Sequence, residues 1–228
     1  QDLLNVNAVD TLRGNANMAI INVVRHPILL AEFVFYYVRS RDDPSFCNYK
    51  HTFDQFVMEQ NRTGNIENIN EMARYIGDIN SQFTSTGIHH AVSFVGISES
   101  LVLSTQVMAK LFPKVMRGFP AQWTKIPKDN LVTCLRTNKS QKISAAVLRY
   151  LLERPDYQKE IDIYADAVFK FWDRAHKVLF CDFQSADELR MHHWGNGLGP
   201  AVAKSLDDSL SVLMMQDLLA RRDRLHLV

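Results

Sequence analysis

"IDIYADAVFKFWDRAHKVLF", residues 161–180, sets Ile161, Tyr164, Ala165, Val168, Phe169, Trp172, His176, Leu179 and Phe180 at the three-and-four spacing of one helix face. Asp166 with Lys170 and Asp173 with Lys177 stand four apart on the other side, where opposite charges support a helix. The same period recurs in "NIENINEMARYIGDINSQF", 65–83, behind Asn65 as a candidate N-cap. "KSQKISAAVLRYLLERP", 139–155, predicts a helix that starts after Ser140 and is stopped by Pro155, because proline disfavours helical backbone just before it. A last helix is expected to open at Pro200 and to carry Val202, Leu206, Leu210, Leu213 and Leu218. Strand signals are sparse: no alternating β-branched run is bounded by an Asn-Gly or Asp-Gly turn, and nine glycines are few for an all-β chain of this length. The expected fold is therefore all-α, a multi-helix globular protein.

The chain has 228 residues, 46 % of them hydrophobic and 22 % charged, which suits one substantial core or two small helical lobes and argues against disorder. Cys47, Cys134 and Cys181 are odd in number, widely spaced and form no CxxC pair, so neither a disulfide framework nor a zinc ribbon fits; an intracellular, reducing compartment is expected. The most apolar run, Ala16 to Val38, is long enough to span a bilayer but holds Arg25, His26, Pro27 and Glu32 near its middle, which is costly in lipid. It reads as a buried helix pair. Within it "HPILLAEFVFYYV", 26–38, is apolar almost all round, so self-association or other protein subunits are expected to cover it. The first residue is Gln1 rather than Met, which leaves any removed targeting segment open and does not separate virion, cytoplasm and mitochondrion.

The clearest break is proline-punctuated and basic: "KVMRGFPAQWTKIPK", 114–128. It divides the chain into an expected N-terminal helical lobe, 1–112, a basic connector, 113–129, and a C-terminal helical lobe, 130–228. Charge follows the same division. Between Lys110 and Arg154 ten basic residues face only Asp129 and Glu153, a net of +8, while the rest holds 16 basic against 23 acidic residues, a net of −7. The total of +1 hides this asymmetry. A solvated helix face normally intersperses acids among its cations; here they are missing, and such self-repulsion is more easily tolerated where an anion sits.

Nucleic acid is one such anion, with single-stranded RNA the best guess, because phosphates attract Lys and Arg through counterion release and unpaired bases stack on aromatic rings. Lys114, Arg117, Lys125 and Lys128 are the expected phosphate contacts in the connector, with Arg136, Lys139, Lys142 and Arg149 continuing the track along a groove between the lobes. Trp123 is the expected stacking face, with Phe112, Phe119 and Tyr150 as further aromatics, although such rings at helical spacing are more often core residues than stacking faces. Acidic lipid or an acidic protein surface are the alternative partners for the same cations.

One short stretch carries a family resemblance. "VMAKLFPKV", 107–115, resembles the mid-chain segment of the nucleocapsid proteins of segmented negative-strand RNA viruses of the phenuivirus and tenuivirus kind, where a short apolar helix ends in Phe-Pro. The resemblance covers under a tenth of the chain and carries over no residue roles. It implies an all-helical, two-lobed coat protein with a basic RNA crevice and an exchanging terminal arm, for which "QDLLNVNAVDTL", 1–12, is the candidate.

Enzymatic and metal chemistry find little footing. Asp173 with His176, Glu188 with His192, His193 and the pair His89-His90 are the best metal candidates, but no Glu-x-x-His and no His-Glu-x-x-His occurs. His176 falls on an apolar stripe, which favours a hydrogen-bonded core histidine. "GNGLGP", 195–200, lacks the spacing of a dinucleotide loop, and neither a phosphate loop nor a Gly-x-Ser-x-Gly elbow is present. Cys134 near Arg136 has no companion base and reads as a structural thiol. No catalytic residue, cofactor or metal is assigned. Three functions remain: a non-enzymatic assembly protein coating single-stranded RNA, an accessory subunit of a large, for example mitochondrial, multi-protein complex, and a helical-bundle enzyme with a His/carboxylate site.

Overall fold

The computed structural model describes residues 20–42, 52–63, 92–114, 116–117, 142–180 and 182–225. Among them seven α-helices dominate, as the periodicity predicts: α1 (Pro27–Asp42), α2 (Phe53–Thr63), α3 (Leu101–Leu111), α4 (Ala145–Glu153), α5 (Pro155–Leu179), α6 (Ala186–Trp194) and α7 (Asp208–Leu225). Two short strands, β1 (Ile20–Val24) and β2 (Val92–Ile97), add a small parallel pair in which Val24 lies opposite Ile97. The predicted helix over 65–83 lies outside the described residues.

α5 is the central element, with α1, α3, α4, α6, α7 and β2 packed around it. Its apolar positions explain this: Ile161, Tyr164, Ala165, Val168, Phe171, Trp172 and Ala175 are all buried. Phe171 and Trp172 meet edge-to-face at 5.3 Å, and Trp194 of α6 closes on Trp172 at 5.1 Å. The Asp166–Lys170 and Asp173–Lys177 pairs form on the outside at 2.6 and 2.7 Å, as their spacing predicts.

Helix starts follow local chemistry. Thr52 and Gln55 close a reciprocal capping box on α2: the Gln55 amide donates to Thr52 Oγ1, and the Thr52 amide donates to Gln55 Oε1. Ser144 caps α4 by accepting from the Val147 amide, so that helix begins several residues beyond Ser140. Pro155 ends α4 as expected, then serves as the first residue of α5, where its missing N–H costs nothing.

Two expectations are corrected. The apolar run from Ala16 to Val38 is not a helix pair: its described residues form β1 and then α1, broken at Arg25-His26-Pro27. Pro200 opens only a 3-10 turn, Pro200–Val202, and the final helix starts at Asp208 after Leu206 has already entered the core. Among the described residues no helix is long and apolar enough to cross a membrane. Ile28, Leu29, Ala31, Phe35 and Tyr36 of α1 are buried by the chain itself, and residues from both expected lobes contribute to one hydrophobic core.

Candidate functional site

The described part of the basic segment comprises the last turn and exit of α3 and the whole of α4, two helices that both pack on α5. Lys110 is exposed in the last turn of α3; Lys114 and Arg117 are exposed just beyond it, where the chain leaves the helix through Phe112 and Pro113. The Met116 amide donates to the Phe112 carbonyl at 2.9 Å and Met116 is buried, which anchors this exit to the protein body. Arg149 is exposed on α4. Lys110, Lys114, Arg117 and Arg149 make no ion pair among the described residues. Lys114, Arg117, Lys142 and Arg149 are thus the predicted contacts that can be placed; Trp123, Lys125, Lys128, Arg136 and Lys139 lie outside the described residues.

Two cations of the segment are engaged. Lys142 Nζ lies 2.7 Å from Asp207, and both side chains are exposed. Arg154 donates to Asp156 at 2.9 Å and to the Tyr150 hydroxyl at 3.1 Å, its guanidinium 5.7 Å from the Tyr150 ring centre. Tyr150 therefore supports Arg154. Phe112 packs against the core, the alternative role foreseen for it.

The described histidines of α5 and α6 behave as packing and hydrogen-bonding groups. His176 Nε2 donates to the Phe183 carbonyl at 2.7 Å, joining α5 to the turn before α6. His193 stacks on Trp172 at 6.0 Å and His192 contacts Phe183 at 5.2 Å. Burial and the neighbouring His192 hold His193 below the ordinary histidine range. Among the described residues no three His, Cys, Asp or Glu side chains gather as a metal site. His89 and His90 lie outside the described residues.

Open grooves occur among the described residues. One, of about 510 Å³ between α5, α6 and α7, is lined by Phe169, Trp172, Lys170, Asp166, Asp187 and Arg222. Its charges are internally matched: Lys170 holds Asp166, and Arg222 grips Asp187 at 3.0 Å while lying 4.8 Å over the Phe169 ring. Another, about 320 Å³, is lined by Trp194, Gly199, Leu206 and Ser211. No histidine or cysteine lines either.

A buried polar centre was not foreseen. At the carboxyl ends of β1 and β2, the His26 amide donates to Glu99 Oε1 at 2.8 Å, and Ser98 Oγ donates to Glu99 Oε2 at 3.0 Å. The His26 ring is fully buried and meets Tyr164 of α5 edge-on at 5.1 Å. Burial pushes the Glu99 carboxyl up and pushes the His26 imidazole down to about 3, helped by Arg221 and Arg25. The only signal in the sequence was Arg25-His26-Pro27 interrupting an apolar run; nothing local ties it to Glu99, 73 residues on.

Comparison with known proteins finds no matching family model, no matching curated protein and no matching solved structure.

Proposed function

We propose that the chain is a non-enzymatic helical assembly protein that coats single-stranded RNA through its basic segment, 110–154. The observation that carries this reading is the exposure of Lys110, Lys114, Arg117 and Arg149 with no carboxylate partner among the described residues, in a stretch whose only acids are Asp129 and Glu153. Outside the segment Lys170, Lys177, Arg221 and Arg222 are each held by an aspartate, while Lys159, Arg174, Lys204 and Arg224 are exposed without an ion pair among the described residues but stand among acidic neighbours in the sequence. Unpaired, solvated cations suit phosphate, which needs charge without fixed geometry and is read independently of base sequence. Lys125, Lys128, Arg136 and Lys139 extend the track, and Trp123 supplies a ring for base stacking.

The test is oligonucleotide affinity against salt for the parent and for the double variant Lys125→Glu, Lys128→Glu. Weaker binding of every single-stranded RNA, with a shallower log-affinity against log-salt slope, supports the reading. A folded double variant that binds RNA as tightly as the parent at all salt concentrations overturns it. The basic segment then serves an acidic protein or lipid surface, as an accessory subunit of a complex would use it.

A further inference from the structure

The buried centre at the strand ends has features that packing alone does not require. His26 occupies the N-cap position of α1: its carbonyl accepts from the Leu30 amide at 2.9 Å, and its ring Nδ1 accepts from the Ile28 amide at 3.3 Å. A nitrogen that accepts a hydrogen bond carries no proton, so the neutral ring has its proton on Nε2. Nε2 is buried and has no hydrogen-bond partner among the described residues. The His26 backbone amide is held by Glu99, so one residue joins the start of α1 to the end of β2. Around the ring stand Arg25 from the end of β1, Glu99 after β2, Tyr164 from α5 and Arg221 from α7.

We propose that His26 is a proton-operated latch: the neutral ring caps the first turn of α1, whose start the His26 backbone amide fastens to Glu99, and mild acid releases that turn. Protonation at Nδ1 places an N–H against the Ile28 N–H that it now accepts, which abolishes the cap. It also puts a cation into a fully buried position beside two arginines, whose charges repel it. The Glu99 carboxylate is already committed to the His26 amide and Ser98. Opening the first turn of α1 lets the imidazolium reach water, so acid favours the open form. The latch is independent of the RNA reading.

Amide hydrogen exchange of the full chain, corrected for the intrinsic chemical rate, tests this at pH 7 and pH 5. With the ring held near 3 when closed and near 6.5 when open, protection of Ile28, Leu29 and Leu30 should fall by up to about 25-fold over that interval. Glu99, taking up a proton in the closed form, offsets part of the change. Met214 and Met215 in α7 should keep their protection. His26→Asn retains a side-chain acceptor for Ile28 without a titrating ring, and should abolish the loss of protection in acid, leaving only the opposite change that Glu99 contributes. Should that variant not fold, imidazole nitrogen shifts of the parent decide the matter. An Nε2–H tautomer that does not titrate in the closed form down to pH 5 supports the latch. Unchanged protection of α1 in the parent, equal loss in α7, a His26→Asn variant that loses protection in acid as the parent does, or a ring titrating near 6.5 in the closed form would each overturn it.

Discussion

Gly199 lies directly beneath the indole of Trp194: a methyl group on Gly199 would stand 2.4 Å from Trp194 Cδ1. The indole is held in place because Trp194 Nε1 donates to Ser100 Oγ at 2.6 Å, and it also packs edge-on against Trp172. Gly199 has a φ of 86°, which side chains rarely adopt. Gly199→Ala should therefore destabilise the protein through both clash and backbone strain, the latter alone about 1–3 kcal/mol. Chemical denaturation checks it; an unchanged midpoint would show that the turn after α6 can move away from the ring at no cost.

Arg221 gathers α5 and α7. Although only 4 % exposed, it donates to Asp162 and Asp217 at 2.6 Å each and to the Gln158 carbonyl at 3.0 Å. Arg221→Ala should cost about 3 kcal/mol, the lower end for breaking a buried pair, because Asp162 keeps partial access to water. Arg221→Lys should recover only part of this, since one ammonium cannot reproduce the forked geometry. Full recovery in thermal unfolding would mean that charge alone matters there.

Glu99 opposes the His26 latch in its pH dependence. Its carboxyl is raised above the ordinary value by burial, so the folded state holds that proton more tightly than the unfolded state does. Its stabilising contribution is complete below the unfolded value and is lost as pH rises through the folded one. Glu99→Gln, which keeps an acceptor for the His26 amide, should thus show its most favourable stability relative to the parent at pH 7.5. That difference should shrink or reverse by pH 4. A difference independent of pH would mean that Glu99 does not titrate between those limits.

For the basic segment, Lys114→Ala and Arg117→Ala should leave stability within about 0.5 kcal/mol, because exposed side chains without partners contribute little. Under the proposed function each should lower the log-affinity against log-salt slope for single-stranded RNA by roughly 0.7. Lys142 differs, since Asp207 competes for it at 2.7 Å. Asp207→Ala should strengthen RNA binding at low salt by freeing that cation, and titration with a fluorescent oligonucleotide reads the direction of change.

Trp172→Ala should cost about 3–5 kcal/mol, the range for truncating a large core aromatic. Its ring is 1 % exposed and touches Phe171, His193 and Trp194. Loss of near-ultraviolet circular dichroism at a temperature where the parent is folded would register it. A cost below about 1 kcal/mol would show that the α5–α6 contact repacks.

The helical character was legible in the sequence because it rests on local terms: the three-and-four spacing of Ile161 to Phe180, the i,i+4 pairs Asp166–Lys170 and Asp173–Lys177, and Pro155. Each acts within a few residues and needs no distant partner. The net charge of 110–154 was equally legible, being a matter of composition. That Lys142 and Arg154 are engaged while Lys110, Lys114, Arg117 and Arg149 are not was only half so. Asp156 is a near neighbour of Arg154, whereas Asp207 is 65 residues from Lys142.

Tertiary structure alone decided the parallel pair and the centre at its ends. A parallel pair has no hairpin turn to announce it, since its strands are joined by a long crossover. Five residues of "IINVV", 20–24, therefore look like the start of the helix that follows. The close packing of Ser104 of α3 against Gly96 of β2, where an added methyl would meet Ser104 Cβ at 3.0 Å, likewise exists only once strand and helix have met. So does the burial of His26: Glu99 and Tyr164 reach it across 73 and 138 positions of chain, and no local rule of spacing or propensity acts over such separations. Local preferences determine which segments become helices; desolvation and long-range hydrogen bonding determine which charged and polar groups those helices enclose.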